Sequence, residues 1–129
     1  MKFNITRDDL LKGRTVPPTW YLVEITEVNE STAKDNSQNW TIVMKIIEGE
    51  QKGVTLYQIF NEKGKGYAMR FLEAVGYKID PDKGAEVELE RAIGRKVKVF
   101  VKNELYEGKM QNRCQDFMPI DKPTTAAVA

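Results

Sequence analysis

One short segment of the sequence combines basic and aromatic residues at a spacing that suits binding of a polyanion. From Arg95 to Lys102, valines alternate with other residue types, which is the two-residue period of a β-strand with one buried face. The opposite face would present Lys96, Lys98, Phe100 and Lys102. Ammonium groups neutralise phosphates and an aromatic ring stacks on a base with roughly 1–3 kcal/mol, so the row is typical of a surface for single-stranded nucleic acid. Lysines that protect a solvated strand edge would give the same pattern.

Positive charge is concentrated around this row. Between Arg95 and Arg113 there are six basic and two acidic residues, whereas the whole chain has 20 basic and 19 acidic residues and a formal net charge of +1. This segregation favours a binding role over a purely protective one. Further candidates for a DNA-binding surface lie on the neighbouring predicted strands and loops: Lys45, Tyr57, Tyr106, Lys109 and Arg113. Tyr57 is about equally compatible with a position in the core.

The sequence lacks the residues on which most catalytic and metal sites depend. It has no histidine and a single cysteine, Cys114, which argues against disulfide frameworks, ordinary zinc sites and histidine-based catalysis. Carboxylates cluster between Asp80 and Glu90, but their spacing does not match a calcium loop. We therefore predict no catalytic residues, no metal and no cofactor, and a carboxylate-dependent nuclease is the least favoured alternative.

The segment from Asn61 to Gly66 superficially resembles a phosphate-binding loop. It lacks the Gly-Lys-Ser/Thr ending, so we interpret it as a hinge into the following helix. Lys63 and Lys65 near a helix N-terminus would still suit one backbone phosphate.

Hydrophobic periodicity predicts five strands and one helix. The strands are expected at 20–28, 39–48, 54–61, from 95 to about 102, and 109–119. The helix carries Ala68, Phe71, Leu72 and Val75 at helical spacing, and Gly76 follows at a typical helix end. A short helical turn over 86–93 is expected to place Val87 and Ile93 against the core. Trp40 and Cys114 are also predicted to be buried.

This order of elements predicts an all-β fold with one helix, namely a five-stranded OB-fold-type barrel with the helix between strands 3 and 4. The domain would span residues 19–120, after an N-terminal arm (1–18) and before a flexible C-terminal tail (121–129). No apolar run approaches the length of a membrane span, and the first residues lack a signal-peptide core. We therefore expect a cytoplasmic protein without a membrane partner.

Four segments are similar to a family of small phage-encoded proteins: 18–27, 46–56, 93–99 and 106–113. Members of that family occur among replication and recombination genes and are regarded as OB-fold single-stranded DNA-binding proteins. The resemblance implies sequence-tolerant binding of single-stranded DNA in phage DNA replication or recombination, in the host cytoplasm. Replication or recombination proteins would be further partners.

The C-terminus departs from many single-stranded DNA-binding proteins, because it has no acidic tail to recruit partner enzymes. Recruitment would then depend on Arg7, Asp8 and Asp9 of the arm or on the acidic turn between Asp80 and Glu90. A non-catalytic protein–protein adaptor or a structural phage component on the same barrel is the alternative function, since a near-neutral chain does not require a nucleic-acid partner. The sequence does not fix an oligomeric state.

Overall fold

The computed structural model describes residues 4–6, 14–78, 82 and 87–120. The strands are β1 (Thr19–Thr32), β2 (Gln38–Ile46), β3 (Thr55–Asn61), β4 (Lys96–Tyr106) and β5 (Lys109–Met118). A helix, α1 (Lys65–Ala74), lies between β3 and β4, and 3₁₀ turns cover Glu62–Gly64 and Leu89–Ala92. The five predicted strands and the position of the helix are confirmed.

All five strands belong to one antiparallel sheet with the order β3-β2-β1-β4-β5. The central strand β1 is shared, because residues 19–24 pair with β4 and residues 23–32 pair with β2. The register with β2 shifts between Ile25 and Glu27, and such a bulge bends a strand and increases its twist. In the part of the chain that the structure describes, no hydrogen-bonded ladder joins β3 to β5. The sheet is therefore open at these two edges, and closure of the predicted barrel by backbone pairing is not observed in these residues.

The inner face of the sheet forms the core. Tyr21, Val23 and Ile25 of β1 are completely buried, as their alternation predicts. The predicted valine face of β4 is also confirmed, since Val97, Val99 and Val101 are completely buried. Removing such side chains from water contributes about 1.5–3 kcal/mol each. In β2 the sequence leaves the buried face open, and the structure places Ile42, Met44 and Ile46 in the core.

Helix α1 packs across the open edges of the sheet. Phe71 is completely buried and contacts Phe60 of β3 and Phe117 of β5, with ring centroids 5.3 and 5.1 Å apart. The rings of Phe60 and Phe117 lie 6.1 Å apart. This aromatic cluster joins, through side chains, the two strands that no backbone ladder connects.

The predicted end of the helix at Gly76 is confirmed, and it has the geometry of a Schellman motif. Gly76 has φ +103° and its N–H donates to the carbonyl of Glu73 at 3.1 Å, while the N–H of Tyr77 donates to Leu72 at 3.0 Å. Glycine adopts this left-handed conformation without a Cβ penalty. Next to this helix end, the guanidinium of Arg95, the residue before β4, lies 4.5 Å from the centre of the Tyr77 ring.

The prediction for residues 86–93 is only partly correct. A short helical turn is present, but it is the 3₁₀ turn Leu89–Ala92, and Ala92 is its buried residue. Ile93 is 47% exposed and does not face the core. A 3₁₀ turn has three residues per turn instead of 3.6, so side chains beyond it point in other directions than an α-helical pattern assumes. Val87 is half-buried.

The β1–β2 and β4–β5 hairpins are both tighter than predicted. The turn between β4 and β5 contains only Glu107 and Gly108, both with positive φ, and Tyr106 pairs with Lys109. Two such residues form the type I′ turn that suits strand twist. The β1–β2 connection likewise contracts to residues 33–37. The prediction that Trp40 is buried is only partly correct: Trp40 is half-buried and does not belong to the core cluster, although its cross-strand partner Phe60 does.

The described part of the predicted arm is attached to the sheet. The side-chain amide of Asn112 accepts a hydrogen bond from the N–H of Val16 at 2.9 Å and donates to the carbonyl of Arg14 at 2.7 Å. Val16 is buried, and the Tyr21 hydroxyl donates to the carbonyl of Pro17. Residues 14–17 therefore form part of the folded unit. Arg7, Asp8, Asp9, Asp80 and the tail 121–129 lie outside the described residues.

Candidate nucleic-acid interface

A groove of about 690 Å³ lies between the two open edges of the sheet. One wall is formed by residues 55–59 of β3, and the other by residues 109–114 of β5 together with Glu104. Thr15 of the attached N-terminal segment also contacts the groove. The edges remain close together at the base of the groove, where the Cys114 thiol lies 3.8 Å from the carbonyl oxygen of Tyr57. We call this feature the β3–β5 groove.

Apolar side chains are exposed on both walls. Tyr57 is 47% exposed, Ile59 is 59% exposed and Met110 is 55% exposed. Tyr57 and Ile59 are two residues apart on one strand, so they share its outer face. Exposed apolar groups that lie close together in a concavity are typical of a ligand surface, whereas isolated ones are common everywhere.

Cations flank these apolar groups. Lys109 and Arg113 lie in the β5 wall. Lys45 is exposed and is the cross-strand partner of Thr55, at one end of the β3 wall. Arg113 also forms an ion pair with Glu104, with 2.7 Å between Nη1 and Oε2. An exposed pair of this kind contributes at most about 1 kcal/mol, so a phosphate can compete for the guanidinium.

Tyr106 lies at the tip of the β4–β5 hairpin. It is 57% exposed and pairs with Lys109. The groove and its immediate border thus bring together five of the nine residues predicted from the sequence, namely Lys45, Tyr57, Tyr106, Lys109 and Arg113.

The other four predicted residues lie on a different surface. Because the valines of β4 face the core, Lys96, Lys98, Phe100 and Lys102 face outward, and none of them contacts the groove. This basic row therefore does not form a single concave site with Tyr57. The two surfaces meet at one point, because Lys102 of the outer face is the cross-strand partner of Arg113 in the groove wall.

The outer face of β4 also carries an aromatic pair that sequence reasoning missed. Trp20 of β1 is the cross-strand partner of Phe100, and their rings pack edge to face with centroids 5.5 Å apart. Alternation along β1 indicates that Trp20 lies on the face of the strand away from the buried Tyr21. It does not indicate that β1 pairs with β4, because strand pairing is a tertiary feature. The exposed Met110 of the groove was also missed, whereas Ile59 could have been found from its shared face with Tyr57.

Lys63 has a protein partner. It forms an ion pair with Asp35 in the β1–β2 loop. The pKa of Asp35 is lowered to about 2, mainly by the hydrogen bond from Lys63 and to a smaller extent by hydrogen bonds from Ser37. The same loop is joined to β3 by the Asn61 side chain, which donates to the Ser37 hydroxyl at 2.8 Å. Lys63 and Asn61 therefore both connect the end of β3 to the β1–β2 loop.

Burial at the base of the groove should make Cys114 unreactive in the native state. Its side chain is 2% exposed, and desolvation raises the pKa of the thiol to about 12. Only the thiolate reacts rapidly with iodoacetamide. At pH 8 we expect negligible alkylation of the folded protein and rapid alkylation in denaturant, where the thiol pKa returns to about 8.5. Equal rates in both states, followed by mass spectrometry, would contradict this burial.

Comparison of the sequence with protein-family models and with curated protein sequences gives no match. Of the helices in the described ranges, none has the length and hydrophobicity needed to cross a membrane. Within the same residues there is no group of three or more acidic or cysteine side chains positioned to hold a metal ion.

Proposed function

We propose that this protein binds single-stranded DNA with little sequence preference, and that the β3–β5 groove is the primary site. The observation that carries the proposal is the arrangement of exposed Tyr57, Ile59 and Met110 between two cations of the β5 wall, Lys109 and Arg113, and Lys45 of β2, which pairs with Thr55 at the end of the β3 wall. Single-strand sites combine apolar or aromatic surfaces for bases with cations that follow the backbone.

The topology supports the proposal. We assign the fold to the OB class, because β1 pairs with both β2 and β4 and the helix lies between β3 and β4. In OB-folds, oligonucleotides bind across strands 2 and 3 and between the β1–β2 and β4–β5 loops. The β3–β5 groove shares β3 and the β4–β5 hairpin with that surface, whereas its lining includes no described residue of β2 or of the β1–β2 loop. The proposed setting is phage DNA replication or recombination in the host cytoplasm, alongside other proteins of those processes.

Binding should be measured by fluorescence anisotropy with a labelled thymidine oligomer of about six nucleotides. If Lys45, Lys109 and Arg113 each neutralise one phosphate, the logarithm of affinity should fall against the logarithm of salt with a slope of about −2. Affinity should then drop roughly 20-fold between 50 and 200 mM salt. Duplex DNA of equal length should bind more weakly, because its bases are not available for stacking. Absence of binding at low salt would overturn the proposal.

A protein–protein adaptor or structural phage component remains the second candidate, and one observation favours it. Asn112 already holds the extended segment Arg14–Val16 through both a main-chain N–H and a carbonyl, which resembles recognition of a peptide strand. Replacing Lys96, Lys98 and Lys102 with glutamate distinguishes the candidates. An adaptor that docks at the sheet edge should keep its partner, whereas a DNA-binding protein should lose affinity for long oligomers.

A further inference from the structure

We infer that a bound single strand continues beyond the groove, passing over Arg113 and along the outer face of β4 towards Lys96. This inference rests on the proposed function, and it assigns a second, separate segment of the binding surface. The connecting point is the cross-strand pair Lys102 and Arg113, because Arg113 also lies in the groove wall. A backbone leaving the groove at Arg113 reaches Lys102 directly, and its phosphate would compete with Glu104 for the Arg113 guanidinium.

The outer face of β4 has the length and charge of such a path. Lys96 and Lys102 are six residues apart, which corresponds to about 20 Å along a strand. Both are exposed, and Lys98 lies between them on the same face. A row of cations along one strand face, first two and then four residues apart, matches a chain of phosphates better than a point ligand.

Carboxylates on this face do not cancel its charge. Asp116 is the cross-strand partner of Phe100, but it forms an ion pair with Arg70 of α1, with 2.8 Å between Nη2 and Oδ1. Glu24 pairs with both Lys45 and Lys96, so a cation lies on either side of it. Glu104, two residues after Lys102 on the same face, forms an ion pair with Arg113. Each of these three carboxylates therefore lies beside a cation.

The aromatic pair on this face gives the path a place for a base. Trp20 and Phe100 are both half-buried, and Phe100 lies between Lys98 and Lys102 on the outer face of β4. Rings held by mutual contact lose little conformational entropy when a base stacks on them. Trp20 is also a natural fluorescent reporter, because the chain has only one other tryptophan, Trp40. Trp40 lies on β2 opposite Glu30, where β1 no longer pairs with β4.

The test uses a Trp40→Phe variant, whose only tryptophan is Trp20, with thymidine oligomers of about six and about 16 nucleotides. Binding is measured by anisotropy and Trp20 emission is recorded in parallel. The long oligomer should quench Trp20, and the short one should bind without quenching. Quenching by the short oligomer, or none by the long one despite binding, would overturn the inference.

A charge variant provides the second arm. Lys96→Ala with Lys102→Ala should weaken the long oligomer roughly 10- to 30-fold at 0.1 M salt and make its salt slope shallower by about 1.4. The short oligomer should change less than about twofold. The matched control is Lys52→Ala with Lys78→Ala, which removes the same charge from exposed positions outside β4. If both variants lost the same affinity, or if the lysine variant of β4 lost the same affinity for both oligomers, the path would be rejected and groove binding would stand. If the unmodified protein bound neither oligomer, the proposed function itself would be rejected.

Discussion

Replacing Phe71 with alanine should lower the free energy of unfolding by about 3–5 kcal/mol, the range for removing a buried phenylalanine. The side chain is completely buried and touches rings on β3 and β5. No backbone ladder in the described chain connects those strands, so the cavity would form where side-chain packing alone joins the sheet edges. The surrounding strands cannot collapse into it without moving the walls of the groove.

Urea unfolding followed by far-ultraviolet circular dichroism measures this effect. Met69→Ala is the matched control, because Met69 is on the same helix and 40% exposed, and a substitution there should change stability by no more than about 0.5 kcal/mol. A loss for Phe71→Ala that is no larger than the loss for Met69→Ala would show that α1 does not hold the two edges together.

The fold could be predicted to the extent that it depends on local periodicity. Alternating valines in β4 and the helical spacing around Phe71 indicate which faces are buried, and Gly76 marks the helix end. Ile93 was misplaced because a 3₁₀ turn and an α-helical turn differ in phase, and the sequence does not distinguish them. The predicted turn over 103–108 was too long because Glu107 adopts a positive φ, which is uncommon for a residue other than glycine, asparagine or aspartate.

The residues of the candidate site could be predicted from the sequence better than the way in which the strands bring them together. Periodicity shows that Phe100 faces away from the valines, but it does not show which strand lies beside it. Pairing of β1 with β4 brings Trp20 to Phe100, and pairing of β4 with β5 brings Arg113 to Lys102. The first contact joins residues far apart in the chain, and the second depends on the exact register of the β4–β5 hairpin. Register and sheet order therefore divide the predicted residues between the groove and the outer face.

Replacing Tyr57 with alanine should weaken binding of the short thymidine oligomer by about 1–3 kcal/mol, or roughly 5- to 150-fold in Kd. Tyr57 is the exposed aromatic residue on the β3 wall of the groove. Because its side chain is 47% exposed, its removal should change folding stability by only about 0.5 kcal/mol. Tyr57→Phe keeps the ring and removes the hydroxyl, so it should retain nearly all of the affinity.

The salt dependence of these variants separates stacking from phosphate neutralisation. Tyr57→Ala changes no charge, so its salt slope should equal that of the unmodified protein while its affinity falls at every salt concentration. Lys109→Ala removes one phosphate contact and should make the slope shallower by about 0.7. Unchanged affinity in Tyr57→Ala would mean that bases do not contact this wall. If Lys109→Ala then also kept its slope, the groove would not hold the DNA backbone, and the sheet edge beside Asn112 would become the better candidate for a protein partner.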